Sequence, residues 1–169
     1  MLGRIVLVGS GETSPTMVKL HRALVDASPQ GTRVMLDTPF GFQTNAEDLT
    51  GKIRQYFAES VGVDVTAAEW RRPDAPLADR ERALSLLAKA GWVFAGPGSP
   101  SYALRLWAGT PVPQILDDVV RRGGTVVLGS AAAVTAGAYA VPVYEIYKVG
   151  EEPRWLPGLN LLGDLLDLQ

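Results

Sequence analysis

A three-layer α/β/α fold, doubly wound around a mainly parallel sheet in the flavodoxin-like manner, is predicted by three features of the sequence. Short β-branched runs alternate with longer amphipathic stretches, the signature of βαβ units. Glycine- and proline-bearing loops follow the β-rich runs, where such folds place their functional edge. The chain has 169 residues, of which 47% are hydrophobic and 20% charged, the balance of one globular domain. That domain is expected to occupy residues 1–169. A chain this long buries roughly 70% of its extended surface and folds without disulfide or metal.

The elements follow in order. Residues 4–8 (RIVLV) predict the first strand. After the turn at 9–13, Ser14 is placed to cap a helix opening at Pro15, where a missing N–H costs least, and running to about Ala27. Residues 33–37 (RVMLD) form a second strand, with a loop at 38–41. Asn45 starts a helix carrying Leu49, Ile53, Tyr56 and Phe57 at helical spacing, and residues 61–65 (VGVDV) read as a third strand. The polar stretch 69–76 is a long connection rather than a domain boundary. A helix over 79–90 leads to a buried strand at 92–94, and Ser99-Pro100 repeats the cap-then-proline start. A helix over 114–122 ends at Gly123-Gly124, glycines suited to a left-handed cap, before the fifth strand at 125–128. Alanines after Ser130 favour another helix. Beyond Gly137, AYAVPVY and EIYKV predict two β-rich pieces, and residues 156–168 are rich in leucine.

Composition excludes several classes of function. There are no cysteines, which removes thiolate nucleophiles, redox pairs and the usual zinc clusters. A net charge of -2, from 16 basic and 18 acidic residues, argues against nucleic-acid or membrane-surface binding by bulk electrostatics. No signal-peptide core follows the start and no apolar run exceeds strand length, so a cytoplasmic protein is expected. One histidine, His21, serves the whole chain.

Four loops fall at the carboxyl ends of the predicted strands: residues 9–13, 38–42, 96–100 and 129–133. Ser130 is the sharpest feature there. Small neighbours allow a strained strand-to-helix turn to present its hydroxyl, with the Ala131 amide aimed where an oxyanion develops. The same Gly-Ser-Ala string also suits the plain start of a helix. Glu12 reads either as a solvated carboxylate favoured by the following helix dipole or as a group that holds a substrate ammonium. Gly9-Ser10-Gly11 is an incomplete dinucleotide fingerprint, with Ser14 in place of the third glycine and Asp37 ending the second strand. Glu145, Lys148, Tyr144 and Tyr147 suit either a pocket wall or ordinary sheet positions.

The strings LVGSGE, VFAGPGSPSYALRLW and VVLGSAAAVTAG, in that order, resemble the cyanophycinase and aspartyl dipeptidase (peptidase E) family of serine hydrolases. That family carries a G-x-G-E-like first loop, a GGN-T-like loop after a middle strand and a Ser-Ala-Gly-Ala nucleophile turn. The resemblance extends from Arg4 to about Leu162 and implies a class I glutamine amidotransferase-like fold. It makes Ser130 the nucleophile of a peptidase or amidase, with the Gly98 and Ala131 amides as the oxyanion hole. Glu12 and Ser99 would bind a peptide or amide substrate, with no cofactor and no metal. Ser99 and Pro100 replace the family's Asn and Thr, and Ala132 its glycine.

A serine hydroxyl needs a base, usually histidine, and the family supplies one downstream of the serine. This chain has no histidine after Ser130. His21 shares a helix face with Met17, Leu20, Leu24 and Val25 and lies about 9 Å from the helix start, so a packed structural role is expected. Either the remaining strands and histidine lie beyond Gln169, or the chain is a non-catalytic binding or regulatory homologue. The first is expected, because the string GLNLLGDLLDLQ would leave leucines without a partner layer. An open sheet edge would favour a homodimer.

Overall fold

Five short strands form one sheet in a computed structural model that describes the backbone of residues 3–166 and the side chains of residues 3–163. Met1, Leu2 and the end of the leucine-rich stretch, from residue 167 on, lie outside the described residues. The strands are β1 (Arg4–Val8), β2 (Thr32–Leu36), β3 (Thr66–Ala68), β4 (Ala90–Ala95) and β5 (Thr125–Gly129), in the order β1-β5-β4-β2-β3. Every pairing in this sheet is parallel. The register runs Val8 beside Gly129, Leu128 beside Ala95, and Ala95 beside Leu36, which brings the carboxyl ends to one edge.

Helices cover both faces, as a parallel sheet requires. Alternate side chains of β4 point opposite ways. Val93 and Ala95 join Leu87 of α3 (Leu77–Ala88), Leu104 and Trp107 of α4 (Pro100–Trp107), and Leu116 and Val119 of α5 (Val112–Arg121). Trp92 and Phe94 join Leu24 and Val25 of α1 (Val18–Asp26), Ile53 of α2 (Ala46–Gln55), and Phe57. The result is the expected three-layer α/β/α arrangement with an apolar cluster on each face.

The structure departs from the predicted elements in three places. Residues 61–65 are not a strand. Phe57 and Val61, four residues apart, share the buried face of α2, which widens into a π turn over Tyr56–Val61. Gly62, at φ +88°, then ends it by donating its N–H to the Phe57 carbonyl. The edge strand β3 begins only at Thr66.

Downstream, EIYKV is likewise a π turn (Glu145–Val149), stopped by Gly150 at φ +81°. Of the two β-rich pieces only Tyr139–Ala140 (β6) pairs, antiparallel to Leu156–Pro157 (β7). In the leucine-rich stretch, Leu159 and Leu161 do find a partner layer, buried in the cluster that holds Leu116 and Val119. Leu161 opens α7 (Leu161–Leu166). No helix among the described residues is long and apolar enough to cross a membrane.

Candidate active site

The turn after β5 is backbone-strained at its serine. Ser130 has φ 50° and ψ −116°, and only Asn160 shares a positive φ among the described non-glycine residues. The strain is held by the Ser130 N–H, which donates to the Val8 carbonyl of β1 at 2.8 Å, and by the buried Ala131 and Ala132 that follow. Ala131 opens α6 (Ala131–Val134), so its N–H is spare from the intrahelical ladder. With only four residues, α6 contributes little dipole, and what the turn offers is chiefly the amide itself. The Ser130 hydroxyl is half-buried and makes no hydrogen bond among the described residues. Strained φ/ψ of this kind costs on the order of 1–3 kcal/mol. Ser130→Gly should therefore stabilise the fold by about 1–2 kcal/mol, while Ser130→Ala, which keeps the Cβ, should not. Urea midpoints of the two variants check this, and equal midpoints would remove the strain argument.

Glu12 is not a surface carboxylate. It is 5% exposed and lies across the sheet edge, where two glycines make room for it. A Cβ on Gly129 would stand 2.8 Å from Glu12 Cγ, and one on Gly96 would stand 3.6 Å from Glu12 Oε1. The carboxylate thus sits beside the Ser130 turn, with no hydrogen-bond partner among the described residues.

His21 sits beneath this loop and holds it. Its Nε2 lies 2.7 Å from the Glu12 carbonyl, an atom that only accepts, so Nε2 carries the proton. Its ring is fully buried and meets Tyr56, Phe57, Trp92 and Phe94 edge-on. Nδ1 is buried without a partner. This is the structural role expected of it, although Leu20, expected on the same packed face, is 42% exposed. Burial lowers the His21 pKa below its ordinary 6.5, and the hydrogen bond to Glu12 offsets part of that shift. Below 6.5 the unfolded chain takes up a proton that the folded chain refuses, so stability is full above that pH and is lost as pH falls toward the folded pKa. Thermal midpoints should decline on mild acidification, and the decline should be smaller in His21→Leu.

The loop after β4 is docked on the loop after β2. Gly98, at φ +138°, lies so close to the Thr38–Phe40 turn that a Cβ would come within 2.0 Å of the Pro39 carbonyl oxygen. Ser99 donates its N–H to that same oxygen at 2.8 Å. The Ser99 hydroxyl is buried and committed. It accepts from Tyr102 N–H at 3.0 Å, the predicted helix cap, and donates to Glu145 Oε1 at 2.5 Å. A substrate reaches it only by displacing Glu145. Ala132 N–H, 3.4 Å from the Gly96 carbonyl, ties this loop to the Ser130 turn.

Asp37, which the incomplete nucleotide fingerprint would place on a ribose, is fully buried and already paired. Arg71 Nε stands 2.5 Å from its Oδ2, and Thr50 donates to the same oxygen at 3.1 Å. Sequence reasoning passed over Arg71 because it lies in a polar connection. No group of three or more potential metal ligands occurs among the described residues.

The fold is shared with solved peptidases. A peptidase from an acI-B1 Actinobacterium superposes with a TM-score of 0.76 at 18% identity, over 96% of this chain and 66% of that one. A candidate peptidase E protein from Listeria monocytogenes EGD-e gives a TM-score of 0.63 at 16% identity, over 95% of this chain and 76% of its own. The chain thus spans just under two thirds of the first of these structures. No protein-family model matches the chain, and no curated protein does.

Proposed function

We propose that the chain carries the nucleophile turn of a serine-type peptidase or amidase. The observation that carries this is the strained backbone of Ser130 at the carboxyl end of β5, next to the glycine that packs on Glu12. Ser130 Oγ attacks a peptide or amide carbonyl carbon, the C–N bond breaks as the serine proton passes to the departing amine, and water later cleaves the acyl-enzyme to release the acid. The spare Ala131 N–H and the Gly98 amide stabilise the oxyanion. Glu12 offers an unpartnered carboxylate for a substrate ammonium, at the edge where the cleaved bond lies. The base that takes the Ser130 proton is not His21, whose Nε2–H is spent on the Glu12 carbonyl. The setting is cytoplasmic, and a homodimer along the open β1 edge would read as doubled mass in light scattering.

The buried His21 favours one second reading, a module that binds a small peptide or amide at this edge without turnover. A fluorophosphonate probe separates the two. It should label the wild-type chain at Ser130 and leave Ser130→Ala unlabelled. A folded wild-type chain that stays unlabelled overturns the nucleophile and leaves the binding module.

A further inference from the structure

A cavity of about 440 Å³ lies between α4 and the segment after the Glu145–Val149 turn. Its α4 wall is one helix face, with Ser101 and, three and four residues on, Leu104 and Arg105, and Ala108 just past the helix end. Leu156 and Pro157 form the opposite apolar side. At one end, a single oxygen of Glu145 accepts two hydroxyls, from Ser99 at 2.5 Å and Ser101 at 2.6 Å. The other, Oε2, is buried with no hydrogen-bond partner. Neither ionisation state satisfies that oxygen: a carboxylate there wants a donor, and a carboxylic acid wants an acceptor. One turn along α4 stands Arg105, exposed and stacked over the Tyr102 ring at 5.7 Å, with no carboxylate partner among the described residues. The second arginine of the cavity, Arg154, is already paired with Glu151. The cavity is therefore lined at one end by a carboxylate with one buried, unmet oxygen and elsewhere by an unpaired guanidinium, with apolar side chains along its walls.

We infer that this cavity binds a small zwitterion, with its ammonium on Glu145 Oε2 and its carboxylate on Arg105. Ser101, whose hydroxyl Glu145 accepts, and Arg105 are four residues apart on one helix, ~6 Å of axial rise, so a ligand that spans them carries its two charges well apart. That is the reach of an ω-amino acid or a dipeptide backbone rather than of a single α-amino acid. The ammonium takes the oxygen that the two serines leave, after a small rotation of the Glu145 carboxylate about its broad terminal torsion. Volume agrees with chemistry, since the space lies in the lower part of the range for small-molecule sites.

The test is a titration of the full chain followed by amide chemical shifts. The probe is δ-aminovalerate, with valerate and pentylamine as single-charge controls. Saturable shifts should centre on Ser101, Arg105 and Glu145, and either control should bind about tenfold more weakly. Glu145→Gln and Arg105→Gln should each weaken the zwitterion by about tenfold. Arg105 is exposed, so its variant keeps the fold whatever the substitution at Glu145 does. The proposal is overturned by the absence of saturable shifts at millimolar probe, by shifts centred elsewhere, or by controls that bind as well as the zwitterion. Undiminished binding by Arg105→Gln overturns it equally.

Discussion

Gly98→Ala should destabilise the chain by about 3–5 kcal/mol. Two costs add at this position. At φ +138° an L-residue is strained even in open space, and here there is no space. The new methyl would meet the Pro39 oxygen at 2.0 Å, its carbon at 2.3 Å and Phe40 N at 2.7 Å, all backbone atoms of a fully buried turn. Relief would pull the two loops apart and break the hydrogen bond from Ser99 N–H to Pro39. Gly51, on the exposed side of α2, is the internal control. A Cβ there meets nothing within 4 Å, so Gly51→Ala should stabilise by about 0.5–1 kcal/mol. Denaturant unfolding of both variants gives the comparison. A Gly98→Ala midpoint equal to wild type would mean that the loops are not locked together.

This docking of one loop on another marks where the sequence stops being informative. β1, β4, β5 and the helices between them were legible because a parallel sheet covered on both faces writes continuous apolar runs separated by amphipathic stretches. The strained turn at Ser130 and the Ser99 cap were legible because both depend on immediate neighbours. The burial of Glu12 was not, because the space for it comes from Gly129 and Gly96, which reach it only when β5 and β4 align. The same holds for Arg71 and Glu145, whose partners lie 34 and 46 residues away in the chain. The two misassigned strands, at 61–65 and 145–149, share a cause. Residues 61–65 hold valines at alternating positions and residues 145–149 hold Ile146 and Val149, yet a π turn closed by a left-handed glycine ends at Val61 in the first and takes up the whole of the second. In both, the glycine was the informative residue, and periodicity outweighed it.

Arg71→Met should cost about 3–5 kcal/mol near neutral pH, because it strands a carboxylate that cannot reach water. The Asp37 side chain is fully buried, whereas that of Arg71 is 22% exposed. The pair is therefore asymmetric. Asp37→Asn leaves a guanidinium that can turn to solvent and should cost clearly less than Arg71→Met. Burial already pushes the Asp37 pKa up, with Arg71 and Thr50 holding it back, and removing Arg71 pushes it further. A raised carboxyl pKa means that the folded chain keeps a proton the unfolded chain gives up. The associated stability is present at low pH and lost as pH rises through the folded value. The deficit of Arg71→Met relative to wild type should shrink on acidification, and the opposite drift from His21 cancels in that difference. The Asp37→Leu, Arg71→Met double variant supplies the deciding comparison. If it recovers most of the loss, the damage is the stranded charge. If it is as unstable as Arg71→Met alone, the guanidinium instead braces by packing the turn on which Gly98 rests.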